Sequence, residues 1–251
     1  MLFRRYCFAA VLMAGLGHVT IAAGPQAAQG ADTAIVAAVK QALSRDQDLR
    51  RLTVSVSGSE VTLSGRVPTL WLKQDAIKRT LKVEGVETVA SNIELPRAES
   101  DLNLAYRIGP AIDRYSYYTI FDYVDAVIRN GVVTLTGGVT PDGKKAEQIA
   151  EEVARVRGVQ EIRNEIVTLP PNLSDERIRA ALYERIFDHI SFEGLQGARV
   201  PPFRILVNNG MVTLYGTVQG EIEFRELESI ARYTSGVLRV NNNLRTIAKR
   251  R

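Results

Sequence analysis

The sequence offers few side chains that could carry acid–base, nucleophilic or metal chemistry. Of its two histidines, His18 lies in an apolar N-terminal stretch and His189 stands alone far downstream. The single cysteine, Cys7, lies in the same N-terminal stretch, which leaves the rest of the chain without a thiolate nucleophile or a cysteine ligand. An active site needs several positioned groups, so we interpret His189 as a partly exposed residue of a helix. We expect no enzyme, no bound metal and no cofactor.

The first 23 residues have the features of an export signal. Arg4 and Arg5 precede an apolar run, and Ala22 and Ala23 supply the small residues of a cleavage site. The run is short for a membrane span, which needs about 20 apolar residues. We therefore expect a signal peptide over 1–23 that is cleaved on export to the periplasm, with a retained membrane anchor as the alternative. A mature chain without cysteine is compatible with that oxidising compartment.

The formal net charge of +4 is spread along the chain and is not gathered in one segment. A nucleic-acid-binding surface would concentrate lysine and arginine on one face. We expect no nucleic-acid partner. Hydrophobic residues make up 45% of the sequence, which is enough for several small cores.

One short pattern, V-T-L-x-G-x-V, occurs three times, at 61–67, 133–139 and 212–218. A second pattern, G-V followed by an alternating stretch, comes after each copy at a nearly constant distance, at Gly85, Gly158 and Gly236. Two landmarks that keep one register through three copies indicate a repeated structural unit.

The repeated unit can be translated into secondary structure. Apolar residues at every second position of the pattern predict a strand, and a similar alternation precedes it. The turn between the two strands contains Asn130-Gly131 or Asn209-Gly210 in the later copies, a strong signal for a hairpin. An amphipathic helical stretch and a short third strand follow, and another helix precedes the hairpin.

The sequence also predicts where helices begin and why glycine recurs in the repeated strand. Asp32 and Ser174 are predicted to cap the first helices of copies one and three. Gly109-Pro110 predicts a late start or a kink in the helix of copy two. The glycines of the repeated strand are interpreted as sites where a helix approaches the sheet closely, or as bulges.

The repeated unit resembles the BON domain family (bacterial OsmY and nodulation). That family shows the same order of helix–strand–strand–helix–strand, the same V-x-L-x-G-x-V strand and the same G-V-x-x-V-x-N-x-I/L ending. The resemblance implies an α+β fold of three tandem α-β-β-α-β domains, each a mixed three-stranded sheet with two helices on one face. We place the domains at 31–97, 101–170 and 173–248. Similarity to OsmY-like proteins implies a role in envelope integrity or osmotic stress, with phospholipid membrane surfaces as partner.

The sequence also contains a candidate contact surface at the start of the second helix of copy one, formed by Leu70, Trp71 and Lys73. The position of Trp71 is taken by Lys144 in copy two, which suggests exposure. An exposed indole beside lysines suits a membrane interface. The alternative is that Trp71 packs between repeats. Inter-domain packing is expected for four tyrosines of one segment: Tyr115, Tyr117, Tyr118 and Tyr123.

Two functions remain open from the sequence. The first is an exported binding protein of the cell envelope that associates with membrane surfaces. The second is a structural or oligomerisation module that docks to another envelope or secretion protein. Repeated small α+β domains suit either role, and an oligomer is compatible with both.

Overall fold

A computed structural model describes residues 25–141, 143–198 and 201–247, and it shows three α-β-β-α-β modules in succession. Module 1 contains α1 (Pro25–Leu43), β1 (Thr53–Ser57), β2 (Glu60–Arg66), α2 (Leu70–Thr80) and β3 (Thr88–Glu94). Module 2 contains α3 (Asp101–Asp113), β4 (Tyr123–Arg129), β5 (Val132–Val139), α4 (Lys145–Ala154) and β6 (Glu161–Thr168). Module 3 contains α5 (Leu173–Phe187), β7 (Phe203–Asn208), β8 (Met211–Val218), α6 (Glu221–Arg232) and β9 (Arg239–Thr246).

Each module has its own three-stranded sheet, with the repeated V-T-L-x-G-x-V strand at the centre. The central strand pairs antiparallel with the strand before it and parallel with the strand after α2, α4 or α6. The hairpin turns at Asn130-Gly131 and Asn209-Gly210 have positive φ at both residues, which suits the right-handed twist of the strands. The predicted fold class, with mixed sheets and two helices per module, is confirmed.

The core of each module lies between the sheet and its two helices. The apolar residues of the central strand are fully buried, and the stripes of the helices pack onto them: Val61, Leu63, Val39 and Leu43 in module 1; Val133, Leu135, Leu104 and Ile149 in module 2; Val212, Leu214, Leu182 and Leu227 in module 3. This is the face that the period-two spacing predicts. Leu81, just beyond the end of α2, is exposed.

The structure corrects three expectations about helix ends. The first helix begins at Pro25, a residue suited to the first turn, so Asp32 lies inside α1 and does not cap it. Asn172, and not Ser174, caps α5, because its side-chain oxygen accepts the N–H groups of Ser174 and Asp175.

The third correction concerns the helix of copy two. α3 starts early, after a Ser100 cap, and continues through Gly109 and Pro110. Pro110 lies in its last turn, where the missing N–H removes one hydrogen bond near the helix end and leaves the earlier turns intact.

The pattern glycines Gly65, Gly137 and Gly216 adopt positive φ, and the chain leading into the preceding strand lies against them. A Cβ atom on Gly137 would collide with the carbonyl oxygen of Tyr123, and one on Gly216 would collide with that of Pro202. The close neighbour is therefore the chain entering the first strand of the hairpin, and the expected approach of a helix is wrong.

No helix among the described residues is long and apolar enough to cross a membrane. The predicted signal peptide, 1–23, lies outside the described residues.

Candidate docking surfaces

His189 does not form a catalytic relay with its neighbours. It follows the end of α5 and does not lie on the helix as predicted. Its Nδ1 atom accepts the backbone N–H of Ser191 at 3.3 Å, while the Ser191 hydroxyl donates to Glu226. A serine nucleophile would have to donate to the imidazole. Within 25–141, 143–198 and 201–247 no three histidine, cysteine or acidic side chains gather as metal ligands.

The predicted contact residues of copy one lie at the junction between modules 1 and 2. Leu70 is buried and belongs to the core of module 2, although it begins α2 of module 1. Trp71 is half-buried and packs against the cores of both modules. The Lys73 ammonium donates to the carbonyl oxygen of Ile93 at 2.9 Å within module 1.

A cation of module 2, the Arg155 side chain, contacts the Trp71 ring. The Arg155 guanidinium, at the end of α4, lies over the indole at 3.7 Å from the ring centroid. Nearby, the Gln160 amide donates to the carbonyl oxygen of Pro96 at 2.7 Å, which fixes the linker between the modules. This geometry favours packing between repeats, one of the two alternatives for Trp71. Membrane contact by Leu70, Trp71 and Lys73 stays a prediction, and it would require the two modules to separate.

Modules 2 and 3 meet through different elements. Ile120, in the loop before β4, is buried in the core of module 3, and its carbonyl oxygen accepts the N–H of Ile205 at 2.8 Å. Tyr123 and Tyr215 stack with ring centroids 3.7 Å apart. Arg204 pairs with Asp113 at 3.2 Å. The second junction therefore uses the outer faces of two sheets and the loop between α3 and β4.

Of the four tyrosines expected at inter-domain contacts, two lie at the junction of modules 2 and 3 and two do not. Tyr123 stacks across the junction, and Tyr118 lies buried with the Arg204 guanidinium 5.0 Å from its ring centroid. Tyr115 instead donates to Gln148 inside module 2, and Tyr117 is 68% exposed. The expectation is right for two of the residues and wrong for the other two.

Burial raises the pKa of the Tyr118 hydroxyl, and the nearby positive charge of Arg204 opposes the shift. Burial also raises the pKa of Tyr123, with a further contribution from the carboxylate of Asp125. Both rings at the second junction are therefore held in the neutral form to higher pH than free tyrosine.

A fully buried ion pair fixes the loop that reaches module 3. The Lys145 ammonium lies 3.0 Å from Asp122 Oδ2, and both side chains have no solvent exposure. Asp122 also accepts the backbone N–H groups of Thr119 and Thr140 at 2.8 and 2.7 Å. These contacts hold both ends of the segment that carries Ile120. The sequence does not reveal this pair, because a lysine in an amphipathic helix is expected at the surface.

One end of module 3 presents apolar side chains to solvent beside arginines. Tyr233, which ends α6, is 73% exposed, and Leu238, which precedes β9, is 81% exposed. Arg185 donates to the carbonyl oxygen of Tyr233, and Arg232 and Arg239 are exposed nearby in the chain. We call these five residues the Tyr233 corner. No other described element covers the two apolar side chains.

The repeat shows what is unusual about this corner. Counted from the glycine after the second helix, Tyr233 and Leu238 occupy the positions of Arg155 and Gln160 in module 2. Those two residues bind module 1, whereas their counterparts in module 3 are apolar and exposed. The corner was not predicted from the sequence, although an apolar pair at repeat positions that are polar elsewhere is a usable signal.

The fold and these surfaces define a tandem array of small α+β modules joined by side-chain and loop contacts. The BON domain model matches residues 31–97, 122–170 and 174–248, and the chain belongs to the BON domain family. No curated protein matches the sequence significantly.

Solved structures with some similarity include the C-terminal domain of CdsD, a structural protein of the type III secretion system of Chlamydia trachomatis. It is 11% identical, with 85% of this chain and 97% of that chain covered and a TM-score of 0.24. Another is the periplasmic domain of the type III secretion inner-membrane protein PrgH from S. typhimurium. It is 15% identical, with 82% and 100% covered and a TM-score of 0.20.

Proposed function

We propose that the protein is an exported, non-enzymatic binding protein of the cell envelope that associates with phospholipid membrane surfaces and supports envelope integrity under osmotic stress. Membership of the BON domain family supports the envelope role. Residues 1–23 are proposed as the cleaved signal that delivers it to the periplasm. The observation that carries the membrane contact is the exposure of Tyr233 and Leu238 beside arginines at one corner of module 3.

The chemistry of the Tyr233 corner suits the boundary between lipid headgroups and acyl chains. A tyrosine there can bury its ring and keep its hydroxyl in the headgroup region, and a leucine adds apolar area. Each lysine or arginine near an anionic surface contributes about 1 kcal/mol of attraction. Arg239 is exposed, whereas Arg232 is already paired with Glu228. We therefore expect modest affinity that is higher for anionic lipid and falls as salt rises.

Flotation with vesicles tests this function. The mature protein is expected to float with vesicles of phosphatidylglycerol and phosphatidylcholine at low salt, and not with pure phosphatidylcholine. A Tyr233→Ser/Leu238→Ser variant should lose at least about tenfold in binding, because the buried apolar area of two side chains is removed. The matched control is Leu102→Ser/Tyr106→Ser, which removes two equally exposed residues from α3 of module 2 and should float normally.

Two outcomes would contradict the proposal. If the wild-type protein stays in the dense fraction with anionic vesicles at low salt, the lipid function is wrong. If Trp71→Ala abolishes flotation while the Tyr233 corner variant floats normally, the membrane contact belongs to Leu70, Trp71 and Lys73, and modules 1 and 2 must separate at the membrane.

A further inference from the structure

A second uncovered feature of module 3 is a groove at the start of α6. It has a volume of about 660 Å³, and its wall includes Gly220, Glu221, Ile222, Glu223, Thr246 and Ile247. Ile222 is 72% exposed, and Ile247 is about half exposed. We call these six residues the Ile222 groove. It combines two exposed isoleucines with two carboxylates and lies at the opposite end of α6 from Tyr233.

Comparison of the repeats indicates that the position of Ile222 can contact a neighbouring module. Counted from the glycine after the second helix, Ile222 is the counterpart of Trp71 in module 1. Trp71 and its neighbour Leu70 dock on module 2, where the end of α4 supplies Arg155. The start of the second helix of one module thus packs against the end of the second helix of the next. In module 3 Ile222 takes the Trp71 position and Glu221 takes the Leu70 position, and no described element covers Ile222.

The receiving side of the same contact is open in module 1. Lys82, just beyond α2, is the counterpart of Arg155. It borders a cavity of about 660 Å³ together with Arg45, Arg79 and Val83. Arg45 and Lys82 are exposed at this cavity, and Lys78 and Leu81 are exposed nearby in the chain. Arg79 is paired with Asp75 at 2.6 Å. We call Arg45, Lys78, Leu81 and Lys82 the Lys82 end. Its cationic character is opposite to the carboxylates of the Ile222 groove.

We propose that copies of this chain associate head to tail, with the Ile222 groove of one copy docked on the Lys82 end of the next. The contact would repeat between chains the arrangement that joins modules 1 and 2 within a chain. Glu221 and Glu223 would face Arg45 and Lys82, and Ile222 would take the place of the Trp71 ring.

The present partners of the two carboxylates do not prevent this contact. Glu221 is paired with Arg225 at 2.9 Å, but both side chains are largely exposed, and exposed pairs contribute little free energy. Glu223 accepts the backbone N–H of Gln219 at 2.7 Å through one oxygen and keeps further acceptor sites. The Tyr233 corner takes no part, so association and membrane binding use separate surfaces.

A contact between two different surfaces leaves one of each free at the ends of an open assembly. Such heterologous contacts build closed rings when the rotation closes, or open chains when it does not. Because opposite charges face each other, association should weaken as salt rises above the range where the Debye length is about 10 Å.

Complementation between two interface variants tests the polarity of the contact. Ile222→Asp replaces the exposed apolar side chain of the groove, and Lys82→Glu reverses the charge of the receiving end. Both residues are exposed, so folding should be unaffected. In sedimentation velocity without lipid, the wild-type mature chain should form oligomers at low salt, and each variant alone should be monomeric. An equal mixture of the two should form dimers and nothing larger, because only one intact contact is possible per pair.

The matched control is Tyr233→Ser, which alters the corner and should associate like the wild-type chain. A wild-type chain that is monomeric at every concentration would overturn the proposal. A dimer that Ile222→Asp abolishes but Lys82→Glu leaves intact would also overturn it, because it would indicate a symmetric contact. Either result is independent of whether the protein floats with vesicles.

Discussion

Replacing Asp122 by asparagine should destabilise module 2 by about 3–5 kcal/mol, the usual cost of breaking a buried ion pair from one side. The Oδ1 atom accepts the N–H and hydroxyl of Thr140, and the Oδ2 atom accepts the N–H and hydroxyl of Thr119. An asparagine must place its NH₂ group at one of these positions, where it would face a backbone donor. The substitution therefore adds a donor–donor conflict to the loss of a carboxylate charge 3.0 Å from the Lys145 ammonium.

The free energy of unfolding can be measured by urea titration, followed by far-ultraviolet circular dichroism. A Lys145→Met variant and the Asp122→Asn/Lys145→Met double variant complete a cycle, and the double variant should be more stable than the sum of the two single losses predicts. Glu161→Gln is the control, because the exposed Glu161–Arg163 pair should change stability by less than about 1 kcal/mol. An Asp122→Asn protein within about 1 kcal/mol of wild type would refute the assignment of this network as a structural anchor.

Two further predictions concern a pattern glycine and the second junction. Gly137→Ala should lower the free energy of unfolding by more than about 3 kcal/mol, because its Cβ would collide with the Tyr123 carbonyl at a positive φ. Gly109→Ala in α3 meets open space and should stabilise the helix by up to about 1 kcal/mol. Thermal unfolding of both variants checks the contrast, and equal stabilities would contradict it. Since burial raises the pKa of Tyr118, the unfolded chain loses the Tyr118 hydroxyl proton at lower pH than the folded chain. The contribution of Tyr118 to the free energy of unfolding should therefore be fully present below about pH 10 and be lost as pH rises further. Urea titrations between about pH 9 and about pH 11 should show this fall, a Tyr118→Phe variant should show a smaller one, and identical slopes would count against the shift.

The sequence predicts the modules well because their signals are local. Period-two apolar residues specify each hairpin, Asn-Gly turns reinforce it in copies two and three, and the second helix of each copy carries a clear apolar stripe. The helix ends are less predictable: Asp32 is a favourable capping residue, but the chain before it can also be helical, so the helix continues through it.

The junctions are less predictable because they depend on which module covers which side chain. Trp71 and Lys144 share a repeat position, yet Trp71 lies beneath Arg155 while Lys144 is exposed. Lys145, its neighbour, is fully buried because Asp122, distant in sequence, meets it in the folded module. Neither environment follows from periodicity alone.

The placement of the single tryptophan has a consequence for spectroscopy. Since Trp71 is the only indole and lies between modules 1 and 2 beneath a guanidinium, emission from the selectively excited indole reports one joint of the molecule. Circular dichroism, in contrast, averages over all three modules. Coincident transitions by the two methods would mean that the array unfolds as one cooperative unit, and separate transitions would measure how independently its modules fold.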